Sequence, residues 1–276
     1  MLWINPLLLT ALGLVSAAAY AEAPALRVTS VGQYIELDNT YGDGALNTVI
    51  FANEVGLAYE DWTVGLTARK NWAVDKDDNV TSDNHRLQMD IWNKINDNYK
   101  LGMRWRAQKD MDRFQLRGAY NFGLVSGSAD VWYQFNNTTN ADDNTEMELI
   151  PVRLNYGPFG LAYFYNQKDG TGSGDAQDVR EHQIRAYANY KFGQLSTYAE
   201  YRITLGQEKQ GYDYYEAGDY HKLEVGASYP LTENLSVRGY YAYEYGDTAD
   251  DYKVNKKADE GNKRYGEYCL GWTYTF

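Results

Sequence analysis

Apolar and polar positions alternate along most of the chain, and each alternating stretch has the length of a membrane-crossing strand. The last stretch, Tyr265 to Phe276, shows the pattern most plainly. One face carries Tyr268, Leu270, Trp272, Tyr274 and Phe276; the other carries Tyr265, Glu267, Cys269, Gly271, Thr273 and Thr275. A helix would scatter both sets, whereas a strand puts each set on one side. Similar segments recur at Ala25–Glu36, Leu46–Tyr59, Trp62–Val74, His85–Ile95, Tyr99–Gln108, Arg113–Phe122, Val125–Asn136, Met147–Tyr156, Phe159–Asn166, Glu181–Phe192, Gln194–Leu205, His221–Tyr229, Leu235–Tyr245 and Arg264–Phe276. The pattern predicts an all-β chain of about fourteen strands, with twelve as the alternative.

The connections alternate in length. Glu60-Asp61, Asn96 to Asn98, Gly123-Leu124, Gly157-Pro158, Gly193 and Pro230 to Asn234 are tight, as hairpin turns should be. Asp38–Ala45, Asp75–Asn84, Asn137–Glu146, Gln167–Arg180, Gly206–Tyr220 and Gly246–Lys263 are long polar loops; Lys109 to Asp112 is the one short connection on that side. Short turns at one end and long loops at the other predict a transmembrane antiparallel up-and-down barrel in a Gram-negative outer membrane. A soluble all-β protein would put Val, Ile and Leu on its buried faces. Here the apolar faces carry aromatics toward the strand ends, as in Phe114, Leu116, Tyr120 and Phe122, or Val131, Tyr133 and Phe135. Aromatic girdles of this kind belong to a bilayer interface.

Composition agrees. Aromatic content is 15% although mean hydropathy is -0.62, which fits a lipid face that uses only every second residue. Past residue 21 no apolar run approaches the roughly 18 residues a spanning helix needs. Residues 1–21 read as an export signal, with an apolar core from Leu7 to Ala19 and an A-x-A site at Ala19 to Ala21, leaving 22–276 as one barrel domain. Met1 to Pro6 lacks the usual Lys or Arg. Cys269 is the sole cysteine, so there is neither a disulfide framework nor a cysteine metal site, and no motif calls for a cofactor. The net charge of -12 excludes nucleic acid as a natural partner. The acidic loops are read as solvated, with divalent-ion or lipopolysaccharide contact as the alternative.

The opposite parity gives the expected lumen. It carries Thr63, Gly65, Thr67 and Arg69; Arg86, Gln88 and Asp90; Lys100, Gly102, Arg104, Arg106 and Gln108; Arg113, Gln115, Arg117 and Asn121. Later strands add Arg153, Gln183, Arg185, Glu200, Arg202, Lys222, Glu224, Arg238 and Glu244. A charge at lipid mid-depth costs roughly 2–4 kcal/mol, which assigns these side chains inward. The candidate pore-lining and substrate-binding set is Arg69, Arg86, Arg104, Arg106, Arg113, Arg117, Arg153, Arg185, Arg202 and Arg238. These arginines either brace the wall through Asp90, Glu200, Glu224 and Glu244, or form a basic track for anionic solutes, since guanidinium grips carboxylate bidentately and stays charged. Tyr187, Tyr198, Tyr240 and Trp132 are expected inward, to stack on sugars or to fill space.

EHQIRAYANYKFGQLSTYAEYRI (Glu181–Ile203), LEVGASYPLTENLSVRGYYAYEY (Leu223–Tyr245) and the terminal LGWTYTF resemble the OmpG-like monomeric porins, and more distantly the KdgM-type acidic-oligosaccharide porins. The OmpG resemblance implies fourteen strands and a single-chain channel for passive diffusion of ions and oligosaccharides. The KdgM resemblance implies arginine-lined passage of acidic oligosaccharides through twelve strands. The expected partners are outer-membrane lipid and lipopolysaccharide, small hydrophilic solutes, and the barrel-assembly machinery through the strand ending at Phe276. Two other classes stay open: a barrel hydrolase with a rim active site, and a closed structural barrel. His85, His182 and His221 show no triad-like spacing.

Overall fold

The computed structural model describes residues 25–39, 46–75, 79–138, 142–171, 178–209, 212–215, 220–246 and 263–276. The export signal expected in residues 1–21 lies outside them, as do parts of the long loops.

The strands are β1 (Arg27–Asn39), β2 (Thr48–Tyr59), β3 (Trp62–Val74), β4 (Val80–Lys94), β5 (Tyr99–Gln108), β6 (Met111–Asn121), β7 (Val125–Asn136), β8 (Asn144–Tyr156), β9 (Phe159–Gly170), β10 (Val179–Phe192), β11 (Leu195–Lys209), β12 (Tyr212–Tyr215), β13 (Tyr220–Pro230), β14 (Leu235–Gly246) and β15 (Lys263–Thr275). Strand β12 is a short ribbon on the outer end of β11. The other fourteen form one antiparallel wall, each paired with its sequence neighbours. Strand β1 closes the wall on β15, from Ser30 opposite Thr275 to Asn39 opposite Gly266. Fourteen strands, not twelve, make the barrel.

Several strands run further outward than the apolar pattern predicts. Val80 to Asn84, expected in a loop, belongs to β4, and Asn144 to Glu146 to β8. Ladder pairing continues above the bilayer, where no lipid demands an apolar face, so hydropathy cannot mark the strand's end. At the other end the turns are tight. Gly123, Gly157 and Gly193 have φ of 82°, 55° and 61°, the left-handed backbone that glycine adopts without steric cost.

The outer face is apolar and open. Leu116 is 68% exposed, Leu270 70% and Phe276 61%, and Leu101, Met103, Phe114, Val131 and Phe135 lie on the same side. Aromatic pairs gird it, among them Tyr99–Phe122, Phe114–Phe135 and Tyr241–Tyr268. A closed barrel with this exterior is solvated by lipid.

Candidate functional site

The inner face is the one opposite the exposed apolar residues, and its charged side chains reach over neighbouring strands. Arg117 on β6 crosses β5 to Asp90 on β4, at 2.7 Å. Arg69 on β3 crosses β2 to Glu36 on β1, at 3.8 Å. Arg153 on β8 lies 3.9 Å over the ring of Tyr187 on β10. Arg238 on β14 crosses both β15 and β1 to an ion pair with Glu54 on β2.

Charge is sorted by sector on this face. Among the described residues, β3 to β6 carry Arg69, Arg86, Lys94, Lys100, Arg104, Arg106, Arg113 and Arg117 against one carboxylate, Asp90. Strands β13 to β2, taken through the closure, carry Glu224, Glu244, Glu267, Glu36, Asp38 and Glu54 against Lys222, Arg238 and, at the start of β1, Arg27. Strands β7 to β11 are balanced: Asp130, Glu146, Glu148, Glu181 and Glu200 face Arg153, Lys168, Arg185, Lys191 and Arg202.

The ten candidate arginines divide into two kinds. Five form ion pairs. Arg104 and Arg117 share Asp90, Arg117 also holds Asp130 at 2.9 Å, Arg202 holds Glu200, Arg238 holds Glu54, and Arg69 has its long contact to Glu36. The other five have no carboxylate within ion-pair distance among the described residues. Arg106 donates to Gln88 at 3.0 Å, and Arg113 donates twice to Gln134 while lying 4.7 Å over Trp132. Arg185 bonds Gln183 and covers Phe164 at 3.5 Å; Arg153 bonds Asn155. The Nε of Arg86 is buried without a hydrogen-bond partner. Arg69 stands directly opposite Arg86, and Arg106 opposite Arg113, so Arg69, Arg86, Arg106 and Arg113 form one arc across four strands. Like charges set opposite one another repel. Amides hold Arg106 and Arg113, and the Trp132 ring underlies Arg113, without cancelling their charge; Arg69 leans on Glu36 instead, and the Nε of Arg86 has no partner.

The acidic sector was not part of the sequence expectation. Its side chains share tyrosine hydroxyls: Tyr198 donates to Glu224 at 2.8 Å, and the Tyr240 hydroxyl sits between Glu36, at 2.9 Å, and Glu267. Glu36, Asp38 and Glu267 bring carboxylate oxygens within 4.8 Å of one another. Parity places Glu36 and Glu54 inward, but the contact of Glu54 with Arg238 spans 184 residues and exists only through barrel closure.

The aromatic rings expected to stack on sugars are covered. Trp132 is 4% exposed beneath Arg113, and Tyr187 lies beneath Arg153. Tyr198 lies across Gly226, where any Cβ would overlap its ring. Trp92, not expected as a lumen residue, lies between Lys100 and Arg117, at 4.5 and 4.6 Å, and across Gly102. The inner glycines therefore admit folded-over rings. The histidines lie elsewhere: the Nδ1 atoms of His182 and His221 share hydrogen bonds with the hydroxyls of Tyr163 and Tyr201, at 2.6 and 2.7 Å, and His85 shares the outward parity of Leu87 and Met89.

No family model and no curated protein matches the chain. Among solved structures, the CymD monoaromatic hydrocarbon channel superimposes with a TM-score of 0.53 at 9% identity, over 91% of this chain and 89% of that one. It shares the barrel alone. OmpT, an outer membrane protein of Vibrio cholerae, gives 0.48 at 14% identity over 94% and 100% of the two chains. The anion-selective porin from Comamonas acidovorans gives 0.47 at 11% identity over 91% and 100%. These scores add nothing to the geometry. The chain has the fold of outer-membrane β-barrels, and its function follows from its own wall.

Proposed function

We propose that this protein is a porin of the Gram-negative outer membrane, a passive channel for ions and small hydrophilic solutes, oligosaccharides included, that draws anions along β3 to β6. The observation that carries the reading is the arc of Arg86, Arg106 and Arg113: glutamine holds Arg106 and Arg113, the Nε of Arg86 is buried without a hydrogen-bond partner, and none of the three has a carboxylate within ion-pair distance among the described residues. Charged groups lining a narrow aqueous path set ion selectivity directly. The fourteen strands agree in number with the OmpG resemblance, and the basic arc agrees in chemistry with the KdgM resemblance; acidic oligosaccharides fit as substrates for that reason. A single chain suffices for the path, because every strand of the wall comes from it. Residues 1–21 serve export, and the exposed Phe276 at the end of the closing strand serves recognition by the assembly machinery. The chemistry is transport without catalysis: among the described residues His182 and His221 are engaged by lipid-side tyrosines rather than by a nucleophile or a carboxylate.

Single-channel recording in a planar bilayer under a salt gradient tests this. The expected result is steady conductance with an anion-selective reversal potential, which Arg86, Arg106 and Arg113→Ser together move to the cation side. Cation selectivity in the unaltered protein would assign control to the acidic sector, and absence of conductance would end the porin reading.

A further inference from the structure

The two charged sectors adjoin at β2 and β3, and the seam between them is the most polarised part of the wall. Arg69 spans it to Glu36 at 3.8 Å, with the two side chains 18% and 11% exposed. On the acidic side Asp38 has a buried Oδ1 without a hydrogen-bond partner; on the basic side Arg86 has a buried Nε in the same condition. One strand further on, Arg106 meets only an amide. A solute that is purely anionic satisfies the basic side and is repelled by Glu36, Asp38 and Glu267. A pure cation has the reverse problem. A solute carrying an ammonium and a carboxylate a few bonds apart satisfies both.

We infer that the channel favours small zwitterions, α-amino acids and short peptides, over anions and cations of equal size, the ammonium lying toward Asp38 and Glu36 and the carboxylate toward Arg86 and Arg106. The inference rests on the channel reading and extends it to a solute class. Ammonium donates to carboxylate and guanidinium donates to carboxylate, so both contacts are charge-assisted. Opposed fields in a water-filled passage with low-dielectric walls act on both ends of the solute at once. The Debye length is about 8 Å at physiological ionic strength and about 3 Å at 1 M, so the preference belongs to low salt.

Swelling of proteoliposomes tests it with three solutes of one backbone: glycylglycine, N-acetylglycylglycine and glycylglycinamide, with glucose as the uncharged control. At low salt glycylglycine should enter about twofold faster or more than either charged analogue, and the difference should vanish at 1 M salt. Arg86→Gln with Arg106→Gln should slow glycylglycine and the acetylated anion; Glu36→Gln with Asp38→Asn should slow glycylglycine and the amide. Neither pair should change glucose entry. Arg86→Lys and Asp38→Glu keep the charges and should keep the order, which separates a lost contact from a lost fold. If the anion enters as fast as the zwitterion, or if the acidic pair of substitutions leaves glycylglycine unchanged, the inference is overturned while the channel stands. If glucose does not enter, the channel reading itself has failed.

Discussion

The basic wall on β3 to β6 and the acidic wall on β13 to β2 are made of the same alternating strands but restrain charge by different means. On the acidic wall two cations are neutralised: Lys222 bonds Glu244 at 2.6 Å and Arg238 pairs with Glu54. Its surplus carboxylates accept from Tyr198 and Tyr240. On the basic wall one carboxylate, Asp90, serves two arginines, and glutamine replaces the acid elsewhere. Gln88 takes Arg106 and Gln134 takes Arg113. An amide oxygen accepts the same hydrogen bond as a carboxylate but carries no charge. Glutamine thus positions a guanidinium without cancelling it, and the identity of the acceptor decides whether an arginine braces the wall or faces the solute.

Turning the acceptors back into acids breaks the contrast with the least change of shape. Gln88→Glu with Gln134→Glu should pair Arg106 and Arg113 in place and carry the reversal potential to zero or to the cation side. Two uncharged acceptors, Gln88 within the basic wall and Gln134 on the adjoining β7, become anions against its guanidinium groups, so this pair should shift selectivity further than a change at the acidic wall or in a turn. Thermal stability should fall somewhat, because the Gln88 amide donates to Asp90 at 2.7 Å and the Gln134 amide to Asn136 at 2.7 Å, and a carboxylate can give neither bond. Reversal potentials in a salt gradient check it. An unchanged anion preference would show that these arginines do not set the field.

A smaller effect sharpens the acidic side. Gly226 faces the ring of Tyr198, and Gly226→Ala should push that ring away and detach its hydroxyl from Glu224. Overpacking of this kind costs about 1–3 kcal/mol. The expected outcome is a lower midpoint of thermal unfolding in detergent, read by heat-dependent gel mobility, with Tyr198→Phe/Gly226→Ala no worse than Gly226→Ala alone.

Much of this architecture is legible in the sequence, and the failures have identifiable causes. Alternation marks all fourteen wall strands because lipid tolerates no error on the outer parity. Arg153 shows where alternation breaks down. The sequence places Arg153 inward, and it covers Tyr187 in the lumen; counting by twos from it would turn Glu148 outward, yet Glu148 stands opposite Asp130 on the inner face. The register slips between Leu149 and Val152, around Pro151, which has no N–H to give the ladder. A bulge is invisible to a period-2 reading unless a proline or glycine announces it. The sorting of charge into sectors is hidden for another reason: it depends on β1 meeting β15, and so on neighbours at opposite ends of the chain.

The smallest expected effect lies at the foot of the basic wall, in the turn between β4 and β5. Asp97 accepts a hydrogen bond from Lys94 at 2.7 Å, and that bond, with the charge of the ammonium, holds its carboxyl below the usual range. A depressed folded-state pKa means that the stabilisation is present above the ordinary carboxylate value and is lost as pH falls through the lower one. Both partners are exposed, so the contribution to stability is slight. The more sensitive readout is selectivity, because Lys94 belongs to the basic sector. Protonating Asp97 leaves that ammonium uncompensated at the periplasmic mouth. Asp97→Asn should therefore be marginally more anion-selective than the unaltered protein at neutral pH, and the two should converge below the ordinary carboxylate range, where other carboxylates titrate equally in both. A constant difference at all pH values would remove Asp97 from the field of the basic wall and leave Lys94 merely a solvated turn residue.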